Sequence, residues 1–208
     1  INNNVFYKLN LENNFESLII ALFIIIFSTA LINFINFMDG IDGLVAGCFF
    51  VITLTSSLLF EPSFAYLSSS LLAFLLFNWN PAKVFMGDVG STFLGFLLVL
   101  LIFRQDSFIN IFKIICMSSP LLLDAITTLI RRFMFQQNIF KPHKSHLYQR
   151  LCQAGWKHSD VSKLYIFFTV LLSFSCLIDK FIFINLCLLA TLITGIIIDK
   201  KQAMPFEQ

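Results

Sequence analysis

The chain has 208 residues, of which 58% are hydrophobic and 12% are charged, and its mean hydropathy is +0.84. Soluble domains carry about 25% charged residues, so this composition excludes an ordinary water-soluble globule and indicates a membrane protein. The net charge of +2 gives no support for nucleic-acid binding, and we expect none. The five cysteines show no CxxC spacing, so neither disulfides nor a zinc site is predicted.

The chain begins with a polar stretch (1–17), which we expect to form an extracytoplasmic loop. Seven apolar runs follow, and because backbone polar groups inside a bilayer must be paired internally, these runs are predicted to be helices. The predicted fold is therefore all-α: a polytopic membrane protein with a single transmembrane domain (18–200) and a cytoplasmic tail (201–208). The predicted helices lie near residues 18–35, 44–60, 64–77, 89–103, 108–130, 164–178 and 181–198.

The distribution of Lys and Arg predicts how these helices are oriented. Half of the 14 basic residues lie in one polar loop (131–163), which the positive-inside rule places in the cytoplasm. Alternating sides outward from this loop brings three polar segments to the same cytoplasmic side of the plasma membrane, so we expect the functional site there. These segments are NFMDGIDG (36–43), NWNPAKVFMGDVGS (78–91) and KPHKSHLYQR (141–150).

The first segment carries two aspartates at the end of an apolar run. Asp39 and Asp42 are three residues apart, so on a helix they would share a face. Gly40 and Gly43 beside them allow a ligand or another helix to approach closely. Acidic residues at a membrane edge are costly and are commonly functional. The alternative interpretation is a plain turn in which Asp and Gly act as turn formers.

The second segment places Asp88 at the start of an apolar run, directly after Gly87. The amides of a helix start attract anions, and one carboxylate beside phosphate oxygens suits Mg²⁺, with Mn²⁺ as the alternative. The competing interpretation is an ordinary helix N-cap. Asp124, inside the fifth run, is open to two interpretations as well: a functional acid or a hydrogen-bonding partner for a neighbouring helix.

The third segment combines cations with histidines. Arg and Lys bind phosphate oxygens, so this loop suits a diphosphate; the alternative is simple positive-inside charge touching anionic lipid. No third soft ligand accompanies His143 and His146, so zinc is disfavoured. Carboxylates for Mg²⁺ or proton transfer, cations for phosphates and a membrane-embedded face together indicate phosphoryl transfer between a nucleotide diphosphate and a lipid phosphate.

Three motifs in this order, NFMDGIDGL, FMGDVGSTFLG and HKSHLYQRL, resemble the polyprenyl-phosphate N-acetylhexosamine-1-phosphate transferases of glycosyl transferase family 4. The resemblance covers nearly the whole chain from about residue 18. It implies transfer of a HexNAc-1-phosphate from a UDP-sugar to undecaprenyl phosphate with Mg²⁺, releasing UMP. The loop PHKSHLYQRL is closer to the members that initiate O-antigen synthesis than to the peptidoglycan branch, which implies UDP-GlcNAc or a related HexNAc as donor.

The same resemblance implies roles for individual residues. Asp39, Asp42 and Asp88 would be the catalytic carboxylates, and Asp88 would also bind the metal. The ring of Phe85 would stack on uracil. The remaining substrate-binding residues would be Asn36, Gly40, Lys83, His143, Lys144, His146 and Arg150.

One departure from the family pattern leaves alternatives open. The family carries an adjacent Asp-Asp pair on an earlier cytoplasmic loop, and no adjacent Asp pair occurs in this sequence, as though the family's N-terminal third were missing. The expected partners are a UDP-HexNAc, undecaprenyl phosphate and membrane lipid, together with either a second copy of the chain or a separately encoded N-terminal portion. The alternative functions are an inactive remnant of such an enzyme and, less favoured, a membrane transporter.

Overall fold

The structure is a computed structural model that describes residues 15–139 and 141–206. Within these residues the regular secondary structure is entirely helical, which confirms the predicted fold class. The helices are α1 (Phe15–Met38), α2 (Leu44–Leu59), α3 (Phe64–Asn78), α4 (Gly87–Phe103), α5 (Phe108–Met134), α6 (Leu147–Gln153), α7 (His158–Ile178) and α8 (Phe181–Lys201).

The long helices coincide with the predicted apolar runs. Four of them, α1, α5, α7 and α8, are long and apolar enough to cross a bilayer, so the chain is an all-helical polytopic membrane protein. Helices α2, α3 and α4 have 16, 15 and 17 residues. At about 1.5 Å per residue they are shorter than a hydrocarbon core of about 30 Å, and the total of seven spans stays a prediction.

The polar parts of the chain are more helical than expected. The predicted loop 131–163 contains the end of α5, the whole of α6 and the first turns of α7. The predicted loop 1–17 becomes helical at Phe15, and its residues 1–14 lie outside the described residues. Helix α8 continues to Lys201, one residue into the predicted tail. The apolar pattern misses these helical turns because each is short and mixes apolar with charged residues, so that no apolar run of helical length marks it.

The helices form a bundle in which α1 packs on α4 and α5, and α2 packs on α3 and α7. Small residues allow two of these contacts to be close. A Cβ added at Gly95 would lie 2.7 Å from the Cα of Ile32, and one added at Gly47 would lie 2.3 Å from Cδ1 of Ile166. Close approach through small residues is typical of helix packing in membranes, and these two contacts hold α1 against α4 and α2 against α7.

The end of the bundle opposite the three polar segments is closed by ion pairs. Arg104 contacts Glu61 at 3.0 Å, and the buried ammonium of Lys113 contacts Asp179 at 2.5 Å. The first pair joins the turn between α2 and α3 to the end of α4, and the second joins α5 to the turn between α7 and α8. Four charged residues at this end are therefore paired with one another, whereas the three polar segments that the sequence singles out lie at the other end.

Candidate active site

The first predicted segment forms the turn between α1 and α2. Helix α1 ends at Met38 and α2 begins at Leu44. Gly43 adopts a φ of 76°, which favours glycine, and its amide donates a 3.1 Å hydrogen bond to Oδ1 of Asn78. A Cβ on Gly43 would lie 2.8 Å from the ring of Trp79. The turn therefore requires glycine both for its backbone conformation and for space.

Asp42 joins this turn to two other parts of the bundle. Its Oδ2 accepts hydrogen bonds from Nδ2 of Asn80 at 2.7 Å and from the amide of Ala82 at 3.3 Å. Its backbone carbonyl accepts a 2.7 Å hydrogen bond from Oγ of Ser162 on α7. Nδ1 of His158, at the start of α7, lies 3.6 Å from the same carboxylate. Asp42 thus holds the chain after α3 and the start of α7 against the turn.

Asp39 and Asp88 approach each other where α1 meets α4. One turn away from each, Oγ of Ser91 donates a 2.5 Å hydrogen bond to Oδ1 of Asn36, which ties the two helices together. Burial, followed by the negative charge of Asp88, raises the pKa of Asp39 to about 6. An ordinary aspartate titrates near pH 4, so Asp39 exchanges its proton much closer to neutral pH.

The FMGD segment (83–90) is the open side of the site. Lys83 and Asp88 are exposed, and the Phe85 residue is 74% exposed. Gly87 has a φ of 66°, and a Cβ added there would meet no atom within 4 Å, so backbone conformation alone favours glycine. The cationic, aromatic and acidic side chains of this segment are therefore accessible to a ligand.

Asp124 anchors the start of α6 in the His loop (141–150). It is buried in α5, and its carboxylate accepts hydrogen bonds from the amide of Leu147 at 2.7 Å and from the amide of Tyr148 at 3.1 Å. The hydroxyl of Tyr165 on α7 donates a further 2.7 Å hydrogen bond. The first amides of a helix have no partner within the helix, and Asp124 supplies one. The structure thus supports the interpretation of Asp124 as a hydrogen-bonding partner.

Tyr148 connects α6 to the first turn. Its hydroxyl donates a 3.0 Å hydrogen bond to the carbonyl of Phe37, and a Cβ added at Gly40 would lie 2.1 Å from that hydroxyl oxygen. Burial raises the pKa of the Tyr148 phenol, so it stays protonated and able to donate. From the sequence, the space beside Gly40 was expected to admit a ligand or another helix. In the structure Tyr148 of the His loop occupies it.

The predicted substrate-binding residues of the His loop lie in different surroundings. Lys144 is exposed, whereas His146 and Arg150 are buried. Burial, followed by nearby cationic groups, lowers the pKa of His143 to about 4, so its imidazole is neutral at pH 7. Nδ1 of His146 lies 3.4 Å from the Asp124 carboxylate but outside hydrogen-bond geometry. Of these four, Lys144 is the one that presents a positive charge at the surface.

The acidic side chains of the site are the candidate ligands for a metal ion. Among residues 15–139 and 141–206, no three His, Cys, Asp or Glu side chains converge as a preformed cage. Mg²⁺ does not require one, since it is commonly bound by one or two carboxylates together with substrate phosphates and water. Asp39 and Asp88 are close enough for the charge of one to raise the pKa of the other. The exposed carboxylate of Asp88 can therefore serve as one ligand of Mg²⁺ when a diphosphate is bound beside it.

Several residues of the site were not predicted from the sequence. Asn78 and Asn80 hold the first turn, and Ser91 bonds to Asn36. Both asparagines stand in the polar break NWNP at the end of an apolar run, which is a signal that could have identified them. His158 offers no such local signal, because its neighbour Asp42 lies far away in the sequence.

The fold and the site together define a polytopic membrane protein with paired carboxylates, an exposed aromatic ring and a basic loop at one end of its bundle. The chain belongs to glycosyl transferase family 4, whose model matches residues 2–105, half of the chain. The matched part contains the first turn and the FMGD segment and ends before the His loop.

Curated relatives agree with this family. The chain is 36% identical over 140 residues to a probable undecaprenyl-phosphate N-acetylglucosaminyl 1-phosphate transferase of Bacillus subtilis (strain 168), covering 61% of this chain and 38% of the relative. It is 31% identical over 166 residues to a decaprenyl-phosphate N-acetylglucosaminephosphotransferase of Mycobacterium leprae, covering 64% and 42%. It is 34% identical over 155 residues to a phospho-N-acetylmuramoyl-pentapeptide-transferase of Dictyoglomus thermophilum, covering 69% and 48%. The chain thus spans less than half the length of each of these three relatives.

Proposed function

We propose that the chain transfers N-acetylhexosamine-1-phosphate from a UDP-sugar, UDP-GlcNAc or a related HexNAc, to undecaprenyl phosphate, giving undecaprenyl-diphosphate-sugar and UMP. This reaction would initiate the synthesis of a cell-envelope polysaccharide, as in the O-antigen-initiating type. The observation that carries the proposal is the 2.5 Å hydrogen bond from Ser91 to Asn36, which brings the segment of Asp88 and the exposed Phe85 against the end of α1 at Asp39. The names of the three relatives support the same class of reaction.

Asp39 is suited to proton transfer in this reaction. An oxygen of the lipid phosphate forms a bond to the β-phosphorus of the UDP-sugar, the bond from that phosphorus to the bridging oxygen breaks, and UMP leaves. A phosphate monoester loses its second proton near pH 6, close to the pKa of about 6 of Asp39. When the lipid phosphate arrives as its monoanion, Asp39 accepts this proton.

Asp88 and Asp42 take different roles from Asp39. Asp88 is exposed and would hold Mg²⁺, which would neutralise negative charge on phosphate oxygens when bound. Asp42 orients the first turn, because its Oδ2 already accepts hydrogen bonds from Asn80 and Ala82. Asp39 and Asp42, whose roles the sequence alone does not distinguish, thus differ in their surroundings.

The exposed groups of the FMGD segment and the His loop suit the nucleotide-sugar. The ring of Phe85 offers a flat apolar face to uracil, and aromatic stacking on a base contributes about 1–3 kcal/mol. Lys83 and Lys144 are exposed and can bind the diphosphate. The donor would therefore lie on the open side of the site, facing the carboxylate pair.

The acceptor would reach the site from the bilayer. Asp39 directly follows α1. Few residues of this helix are buried, and large side chains such as Phe23 and Ile26 are exposed. A lipid tail can therefore stay among apolar side chains while its phosphate lies beside Asp39. We assign this end of the bundle to the cytoplasmic side of the bacterial plasma membrane, because the loop 131–163 carries half of the basic residues.

The test is UMP release by membranes from cells that express the native gene, supplied with UDP-GlcNAc, undecaprenyl phosphate and Mg²⁺. We expect release that EDTA abolishes and that Asp88→Asn lowers about 100-fold or more. Asp106→Asn is the matched control, since this exposed aspartate lies at the opposite end of the bundle and should change nothing.

UDP-MurNAc-pentapeptide as a second donor makes the test decisive. Release from this donor alone would show that the GlcNAc assignment is wrong, as the relative from Dictyoglomus thermophilum allows. Release from neither donor would favour the inactive remnant. Release that Asp88→Asn leaves unchanged would overturn the metal assignment.

A further inference from the structure

We propose that the C-terminal clamp, formed by Asp199, Met204 and Phe206, positions α6 and through it the first turn of the site. Its effect on catalysis rests on the proposed function, whereas its effect on α6 does not. Arg150 is the residue through which the clamp acts. Arg150 therefore positions α6 within the protein. The family resemblance implies a direct contact with phosphate for this residue, and the clamp replaces that role.

Asp199, near the end of α8, bridges two arginines. One carboxylate oxygen accepts a hydrogen bond from Arg150 on α6, and the other accepts one from Arg131 on α5. The Asp199 side chain is 12% exposed and that of Arg150 is 5% exposed, so solvent screens this contact little. Charge-assisted hydrogen bonds are about twice as strong as neutral ones, so Asp199 joins α5, α6 and α8 at one point.

The residues after α8 add a second set of contacts to Arg150. Nη1 of Arg150 donates a 2.8 Å hydrogen bond to the carbonyl of Met204, and the amide of Met204 donates a 3.2 Å hydrogen bond to the carbonyl of Arg150. The ring of Phe206 lies 5.5 Å from Cζ of Arg150 and 5.6 Å from Cζ of Arg131. Phe206 also stacks on Phe135, with ring centroids 5.8 Å apart.

Each of the three nitrogens of the Arg150 guanidinium donates a hydrogen bond within the chain. Its Nε donates to the carbonyl of Ser145 at 3.2 Å, while its two terminal nitrogens donate to Met204 and Asp199. An arginine that binds a substrate phosphate needs its donors directed at the ligand. Here they are directed at three different parts of the chain, which suits a residue that fixes a local structure.

Helix α6 transmits this restraint to the site. It has seven residues, which is too short to be stable by itself. Asp124 holds its first amides, the clamp holds Arg150 one turn later, and between them Tyr148 donates to the carbonyl of Phe37. Phe37 lies two residues before Asp39, so the contacts of Arg150 help to define where the carboxylate pair sits.

A cavity of about 130 Å³ between α5, α7 and α8 is lined by Arg131, Arg150 and Asp199 among others. The position of Arg150 beside this cavity depends on the hydrogen bonds of the clamp, and removing one of them should loosen α6.

Hydrogen exchange measures the clamp directly, without any substrate. In the purified full chain in detergent, Asp199→Asn should speed amide exchange in residues 145–151 about 10-fold, the factor expected for one lost charge-assisted hydrogen bond. Asp199→Glu, which keeps the carboxylate, should restore much of the protection. Lys200→Ala, an exposed neighbour, is the matched control and should behave as the native chain. Unchanged exchange in Asp199→Asn would overturn the proposal.

A truncation provides an independent variant. A chain ending at Ala203 lacks Met204 and Phe206 but keeps α1 to α8, so it separates the clamp from general misfolding. Faster exchange confined to 145–151 supports the clamp, with α2 as an internal reference that should stay protected. Faster exchange throughout the bundle, in both this chain and Asp199→Asn, would contradict a specific effect on α6.

Steady-state kinetics then distinguish positioning from substrate contact. Positioning predicts that Asp199→Asn and Arg150→Gln each lower kcat by about 10-fold, that KM for the UDP-sugar stays within about 2-fold, and that the double variant is no worse than the poorer single one. Direct contact with phosphate predicts a raised KM for Arg150→Gln and additive losses. If the native membranes release no UMP, the proposed function fails, while the exchange experiment still decides whether the clamp holds α6.

Discussion

The two acidic segments of the site, the first turn (36–43) and the FMGD segment, differ in how firmly the bundle holds them. The turn is tied to the ends of α3, α6 and α7 by hydrogen bonds at Gly43, Phe37 and Asp42. The FMGD segment exposes Phe85, Asp88 and Val89. One wall of the site is thus preorganised by the protein, and the other is open to receive a ligand.

The same difference separates two chemically identical side chains. The carboxylate of Asp42 is 12% exposed and serves the fold as an acceptor for its neighbours. The exposed carboxylate of Asp88 contributes to the site through its charge on Asp39. If this contrast is correct, substitution of Asp42 changes stability, whereas substitution of Asp88 or Phe85 in the FMGD segment changes activity.

The largest expected effects come from the pair Asp88→Asn and Asp42→Asn. Asp88→Asn should lower UMP release about 100-fold or more with an unchanged Tm, because it removes the proposed metal ligand from an exposed position. Asp42→Asn should lower Tm by about 2–8 °C, since it weakens hydrogen bonds to a buried charge worth roughly 1–2 kcal/mol. Thermal unfolding in detergent beside the UMP assay checks both. The reverse pattern would show that the contrast between the walls is wrong.

Gly40→Ala should lower Tm by disturbing the contact between the first turn and α6. The added methyl group would overlap the hydroxyl of Tyr148, and overpacking of this kind costs about 1–3 kcal/mol, or roughly 2–12 °C in Tm. Gly195→Ala is the matched control, because a Cβ there meets no atom within 4 Å. Equal Tm values for the two variants would contradict the close contact between Gly40 and Tyr148.

Phe85→Ala should affect the donor and leave the fold intact. Loss of base stacking worth about 1–3 kcal/mol predicts a KM for the UDP-sugar that rises roughly 5- to 150-fold. The Tm should not change, since Phe85 is 74% exposed. Phe85→Tyr should keep the native KM, and Val89→Ala, at a residue 85% exposed, is the control. A KM for Phe85→Ala equal to that of Val89→Ala would remove Phe85 from the nucleotide site.

The smallest effect is a pH dependence of stability at Asp39. Its pKa is raised to about 6 in the folded protein, mainly by burial and then by Asp88. The folded state therefore favours the protonated form, so this group's stabilising contribution is complete below about pH 4 and is lost as the pH rises through 6. Asp39→Asn, which stays neutral, should raise Tm by a few degrees at pH 8 and have no such advantage at pH 4. A Tm difference that is the same at both pH values would contradict the raised pKa.

Apolar patterning was sufficient to predict the helices but not the His-loop structure. The runs of 15 or more apolar residues specify helices because a bilayer leaves no other way to pair the backbone. Helix α6 has no such run, and it forms where the carboxylate of Asp124 meets the amides of Leu147 and Tyr148. Such a contact joins residues that are distant in the sequence, so it produces no apolar periodicity around Asp124 or in the His loop.

The candidate site was predicted in part for the same reason. Spacing and apolar flanks identified Asp39, Asp42 and Asp88, and the structure brings their segments together. Spacing could not separate Asp39 from Asp42, because their difference arises from burial and from the asparagines after α3. It also could not show that Arg150 faces Asp199, since the pairing depends on how α8 packs.

The amino-acid sequence by itself determined that the chain is helical and membrane-embedded, and that its acids and bases gather in three polar breaks. These properties follow from composition and local order, which act within a few helical turns. The tertiary structure alone decided which carboxylate is buried, which is exposed, and why the space at Gly40 belongs to Tyr148. Burial and charge coupling depend on neighbours that folding brings from distant parts of the chain, so they can be assigned only once the helices are packed.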